Sequence, residues 1–224
     1  MFLRHAEMTD IGLAREKNED ALWSEPFEPA AFQKKGALFV IADGLGGLPR
    51  GEVASRAAVE AVSGIFGSFK AKPPDDWLRA AFQKAHDTVE AMNRREEEGP
   101  MATTLTASWF WGDELRIAHV GDCRVYRVRG GEVRALTRDH SMSRHVLART
   151  IGVGEFNPDL YKEEVRAGDA YVQASDGLYP LFSPPELGEI ALLASPQDAC
   201  RRFVQTANAR GGPDNITVQV IRVE

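Results

Sequence analysis

An apolar run at residues 37–41 ends in Asp43 and a cluster of glycines, Gly44, Gly46, Gly47 and Gly51. A short apolar run closed by turn residues predicts a buried strand, so Asp43 stands where a core strand surfaces into a loop. Glycine lacks a Cβ and accepts positive φ, which lets such a loop approach a ligand closely. The arrangement recurs along the chain. Residues 170–175 are mostly apolar and lead to Asp176 and Gly177; Asp214 and Asn215 precede the apolar run 216–223; Glu19 and Asp20 precede Ala21, Leu22 and Trp23.

Between these runs the period changes. Ala54, Ala57, Ala58, Ala61, Val62, Ile65, Phe66 and Phe69 recur at helical spacing and predict a helix with one buried face. Asp75 and Asp76 predict the N-cap of a second helix striped by Trp77, Leu78, Ala81, Phe82, Ala85, Val89 and Met92, with His86 off the stripe and in solvent. Runs 103–111 and 114–120 meet at Gly112 and Asp113, and runs 124–129 and 132–137 meet at Gly130 and Gly131, two hairpins in succession. Asp122 lies between them, another carboxylate at a strand end. Residues 4–12 alternate weakly, as an edge strand does.

Residues 138–168 are the least regular. Their histidines, His140 and His145, have no acceptor pattern around them and are read as structural or exposed. Ser183 and Ser195, each followed by proline and then an acid, predict two helix starts. The second helix carries Cys200 on its core face and stops at Gly211 and Gly212. Paired helices and hairpin strands predict an α+β fold, with antiparallel sheets inside and helices outside, as one domain over residues 1–224.

Charge and composition narrow the function. With 27 basic against 33 acidic residues the formal charge is −6, and no dense Lys/Arg block appears, so nucleic acid is not expected as a partner. No apolar run approaches the ~18 residues of a membrane span, so no membrane association is expected. Cys123 and Cys200 are too few for a disulfide framework and are read as free thiols of a reducing compartment, which places the protein in the cytoplasm. Carboxylates gathered at one end of a sheet repel one another and need a cation to stay ionised. An oxygen-only donor set, without Cys or His beside it, suits a hard ion, Mg²⁺ or Mn²⁺.

Taken together and in order, these pieces resemble the PPM family, the type 2C metal-dependent serine/threonine phosphatases of bacterial type. The residues that carry the resemblance are Arg15, Asn18, Glu19 and Asp20; Ala42 to Gly44 with Gly46, Gly47, Gly51 and Glu52; Thr103 and Thr104; Gly121, Asp122 and Arg124; Thr137, Asp139, His140 and Ser141; Asp176 and Gly177; and Gly212, Asp214, Asn215 and Thr217. The resemblance implies an αββα sandwich with two central antiparallel sheets flanked by helix pairs. It also implies a centre of two Mn²⁺ or Mg²⁺ ions, with Asp43 bridging, Gly44 giving its carbonyl, Asp176 and Asp214 on one ion and Glu19 on the other through water. Asp122 and Asp176 would contribute to a third ion. Arg15 would clamp the substrate phosphate, and Asp20, Asn215 and Thr103 would stand behind the ligands. The implied reaction is hydrolysis of phosphoserine and phosphothreonine in a protein, in a signalling pair with a Ser/Thr kinase, by direct attack of a metal-bridging water. Arg15 is far in sequence from any obvious acidic partner, which leaves it to the phosphate.

Three departures from the family pattern stand out. Leu45 occupies the place of a histidine found in some members, Ala102 replaces the usual glycine before Thr103, and the flap segment from Ser141 to Gly152 is short. The short flap predicts an open active site with little selectivity for the sequence around the phosphoresidue. Two other readings share the residues: a catalytically weak module of the same fold that binds phosphoproteins, and a hydrolase of small phosphate esters. Retention of the full ligand set disfavours the module, and substrate kinetics separates the hydrolase.

Overall fold

The computed structural model describes residues 1–25, 27–67, 73–95, 97–143 and 146–224. Phe69 and His145 lie outside the described residues. The chain folds into two compact units, each assembled from separate stretches. One comprises Met1–Asn18, Arg124–Arg138 and Glu164–Glu224, the other Glu19–Cys123 and Asp139–Glu163.

The first unit is built on an antiparallel sheet. Its strands are β1 (Leu3–Asp10), β6 (Arg124–Arg129), β7 (Glu132–Ala135), β11 (Ala170–Ala174) and β12 (Ile216–Val223), in the order β1-β12-β11-β6-β7. The apolar runs predicted as strands are its centre: β11 is wholly buried and β12 nearly so. β1 is an edge strand, as its weak alternation predicts. Gly130 and Gly131 both take positive φ, +57° and +85°, the two-residue turn that matches hairpin twist. Helices α4 (Pro184–Ala191) and α5 (Pro196–Ala209) pack on the sheet, with Cys200, Phe203, Val204 and Ala207 in the core. Ser195 caps α5 by accepting the Asp198 N–H at 3.1 Å.

The second unit has its own antiparallel sheet of β2 (Asp20–Ser24), β3 (Ala37–Asp43), β4 (Leu105–Trp111), β5 (Glu114–Val120) and β10 (Asp159–Glu164), ordered β10-β5-β4-β3-β2. Its helices are α1 (Pro29–Lys35), α2 (Gly51–Gly67) and α3 (Pro74–Asn93). The stripes of α2 and α3 bury Ala54, Ala58, Val62, Phe66, Trp77, Leu78, Phe82 and Val89 against Leu38, Val40 and Trp109. In the segment from Ser141 to Gly152, β8 (Ser141–Ser143) pairs with β9 (Val146–Leu147), and Met142 is exposed. Among the described residues, no helix is long and apolar enough to cross a membrane.

Two expectations need correction. Asp75 and Asp76 do not cap α3; Pro73 holds the N-cap position and Pro74 begins the helix. Both acids lie in the first turn, where they suit the positive end of the helix dipole, and Asp75 accepts from Arg116 at 2.9 Å. His86 is not a free surface side chain. Its Nδ1 accepts the Gly152 N–H at 3.2 Å and its ring stacks on Phe156 at 4.0 Å, and burial holds its pKa below the ordinary value.

Candidate active site

In the second unit, β3 is buried from Ala37 to Ala42 and surfaces at Asp43. Antiparallel pairing sets Asp20 directly opposite Asp43. The next turn is tight around Glu19: Gly44 donates its N–H to the Glu19 carbonyl at 3.0 Å. A Cβ on Gly44 would lie 2.4 Å from the Gly51 backbone, and one on Gly51 would lie 2.7 Å from Glu19 Oε1. Glycine is therefore required at position 44, and at position 51 the Glu19 carboxylate lies against the loop that follows Asp43.

The Asp43 backbone is clamped from β4's approach. Its carbonyl accepts from Thr104 N at 2.8 Å and from Thr103 Oγ1 at 2.8 Å, and its N–H donates to Thr104 Oγ1 at 2.8 Å. Thr103 thus holds the Asp43 main chain through its hydroxyl. Thr104, to which the resemblance assigns no role, is equally engaged. Its hydroxyl also meets Cys123 Sγ at 3.3 Å. Burial raises the pKa of that thiol well above its ordinary value, and the charges of Asp43, Asp122 and Asp20 raise it further. Cys123 is thus a protonated core residue within range of the charge of those three carboxylates.

In the first unit, β11 and β12 are antiparallel neighbours, with Ala174 opposite Val218. The end of β11 and the start of β12 therefore meet at one end of the sheet, which brings Asp176 to Asp214. A Cβ on Gly177 would strike the Asn215 carbonyl at 2.0 Å and come within 3.1 Å of Asp214 Cβ. Asn215 ties this turn to the segment after β1 by donating from Nδ2 to the carbonyls of Ile11 and Lys17, both at 2.9 Å. On that segment Arg15 donates from Nη2 to Asp214 Oδ2 at 2.7 Å. The expectation that Arg15 has no acidic partner does not hold: folding brings together two residues nearly the whole chain apart.

His140 is buried, and its acceptor is Asp159, on a strand too charged to read as apolar. Nearby His119 is buried with Nδ1 2.8 Å from Thr106 Oγ1; burial, with His140 beside it, lowers its pKa to about 4, so it is neutral at pH 7.

Among the described residues, no group of three or more His, Cys, Asp or Glu side chains is arranged to hold a metal ion. The donors nonetheless fit hard divalent cations in kind. They are carboxylate and carbonyl oxygens, and like charges set directly opposite, as Asp20 and Asp43 are, cost stability that a cation relieves.

A family model described as Protein phosphatase 2C matches residues 16–214. The serine/threonine protein phosphatase PstP of Mycobacterium tuberculosis is 32% identical over 248 residues, covering 100% of this chain and 45% of PstP, so the chain spans less than half of that relative's length. The serine/threonine phosphatase stp of Listeria monocytogenes is 30% identical, covering 97% of this chain and 95% of stp. A crystal structure of the PstP catalytic domain in complex with two manganese ions superimposes with a TM-score of 0.87 at 32% identity, covering 100% of this chain and 99% of that one. The chain belongs to the protein phosphatase 2C family.

Proposed function

We propose that the protein removes phosphate from phosphoserine and phosphothreonine residues of proteins with the help of two Mn²⁺ or Mg²⁺ ions. The observation that carries this reading is the turn after β3, where Asp20 faces Asp43 and the Glu19 carboxylate lies against Gly51, at a loop in which Gly44 leaves no room for a side chain. Asp43, Asp176 and Asp214 would hold the ions by their carboxylates, Gly44 by its carbonyl, and Glu19 through water. Asp122 would join Asp176 at a third ion. When bound, such ions offset the charge of a phosphate dianion and lower the pKa of water toward neutrality.

The chain's own residues supply the rest. Arg15 offers a planar fork of N–H donors suited to phosphate oxygens, and its bond to Asp214 fixes that fork at the ligand loop. Asp20, Asn215 and Thr103 keep the ligand-bearing backbone in place. Cys123, buried and protonated, is no nucleophile, in keeping with hydrolysis that needs no covalent intermediate. We read residues 1–224 as one phosphatase domain acting in the cytoplasm, opposite a Ser/Thr kinase, on phosphoproteins selected loosely because the flap is short.

The test is phosphate release from phosphothreonine peptides of unrelated sequence with added Mn²⁺. Release from most of them, abolished by EDTA, supports the reading; no release from the folded protein with Mn²⁺ present overturns it. A strong preference for one peptide counts against loose selection.

A further inference from the structure

We infer that His140, held by Asp159 and Arg149, is a positioning residue that fixes the Gly121 peptide and, through it, the acidic residues Asp122 and Asp43. The inference rests on the reading of those two as metal ligands. All of the residues involved belong to one unit.

His140 grips Gly121 at both ends of its main chain. The His140 N–H donates to the Gly121 carbonyl at 2.8 Å, and the Gly121 N–H donates to His140 Nδ1 at 3.2 Å. Because Nδ1 accepts, the ring proton sits on Nε2, which donates to Asp159 Oδ2 at 3.0 Å. Arg149 gives its strong bond to the other oxygen, Oδ1, at 2.6 Å, and its Nη1 also stands 3.3 Å from Nε2. Burial raises the Asp159 pKa, but hydrogen bonds from His140 and Arg149 outweigh it and hold the carboxyl below its ordinary value. The ring is therefore oriented from behind and cannot turn without breaking a charge-assisted bond.

Gly121 has no slack to take up movement. Its φ is +109°, and a Cβ there would meet the Thr104 side chain at 2.5 Å. Thr104 in turn accepts the Asp43 N–H at 2.8 Å. A continuous path of contacts therefore runs from Asp159 through His140, Gly121 and Thr104 to Asp43, and Asp122 follows Gly121 directly. Groups that orient ligands from behind commonly govern metal affinity by about 10- to 100-fold.

The experiment compares wild type with His140→Phe, His140→Asn and Asp159→Ala. Asn keeps an acceptor at the place of Nδ1 but loses Asp159, Phe loses both, and the half-exposed Asp159 tolerates truncation. Two quantities are read: hydrogen exchange of the Gly121 amide in the metal-free protein by NMR, and Mn²⁺ affinity by calorimetry.

The expected result is Gly121 exchange at least about tenfold faster in His140→Phe, with Mn²⁺ affinity lower by about 10- to 100-fold. His140→Asn should recover most of both, and Asp159→Ala should fall between. Unchanged Gly121 exchange in His140→Phe overturns the clip. Faster exchange with unchanged Mn²⁺ affinity overturns the positioning role. If His140→Phe does not fold, equal Mn²⁺ affinity in wild type and Asp159→Ala overturns the inference, and weaker binding in Asp159→Ala supports it. Failure of wild type itself to bind Mn²⁺ is a separate result: it brings down the metal-centre reading first, and this inference with it.

Discussion

The two ends of the β1-β12-β11-β6-β7 sheet each carry an arginine–aspartate pair, and the pairs are built differently. Just before β11, Asp169 is 1% exposed and accepts from Arg129 Nε and Nη2 at 2.7 Å each, from Arg166 N at 2.8 Å and from the Tyr171 hydroxyl at 3.1 Å. Just before β12, Asp214 is 29% exposed, bonds Arg15, itself 40% exposed, through one nitrogen, and accepts the N–H of its own neighbour Asn215. The first carboxylate is saturated by bonds that hold the fold together. The second takes one bond on each oxygen and stays partly exposed on its turn, so it keeps lone pairs within reach of a ligand.

Four substitutions would break or sharpen this contrast. The largest effect is expected at Gly177→Ala, because a Cβ 2.0 Å from the Asn215 carbonyl must displace the backbone that carries Asp214. A loss of roughly 4 kcal/mol, or failure to fold, is expected in urea denaturation; a change under about 1 kcal/mol would mean the turn is slack.

Next is Asp169→Asn, which leaves Arg129 without its buried partner and should cost about 3 kcal/mol at pH 7. Burial raises the Asp169 pKa, but the bonds from Arg129, Arg166 and Tyr171 bring it below 3.8 on balance. A depressed folded-state value stabilises above the unfolded one, so the gap between wild type and variant should be full above about pH 5. It should shrink as pH falls below 3.8 through the lower folded value. A gap that grows on acidification would contradict the assignment.

Asn215→Ala removes the two bonds to Ile11 and Lys17 and should cost about 2 kcal/mol. The smallest stability effect belongs to Arg15→Ala, under about 1 kcal/mol for so exposed a pair. The same variant should lower the phosphatase rate roughly a hundredfold if Arg15 holds the phosphoryl group. Equal and small changes in both readouts would make the Asp214 pair ornamental.

The turn at Asp214 was legible from sequence because an apolar run with an acid at its margin marks a buried strand and its end, and the same signal marked β3 and β11, while glycine turns marked both hairpins. What escaped was whatever depends on partners distant in the chain. β10, with the sequence DLYKEE, lacks the apolar character of an interior strand and is recognised only by its place beside β5. Without it, Asp159 could not be paired with His140; Arg15 and Asp214, nearly the full chain apart, likewise meet only once the chain has folded. Thr104 looked no different from its neighbour Thr103 until folding set its hydroxyl against the Asp43 amide. The start of α3 was legible in principle, since proline is favoured at the first helical position, but the two aspartates drew attention away from Pro74.

The central claim is that Asp43, at the end of β3, is a ligand of divalent ions that the reaction requires. The most direct measurement is a calorimetric titration of Mn²⁺ into wild type and into Asp43→Asn, with both proteins shown to be folded by circular dichroism. The account predicts binding by wild type that is lost, or weakened at least about a hundredfold, in the variant. Equal Mn²⁺ binding by the two proteins would contradict it.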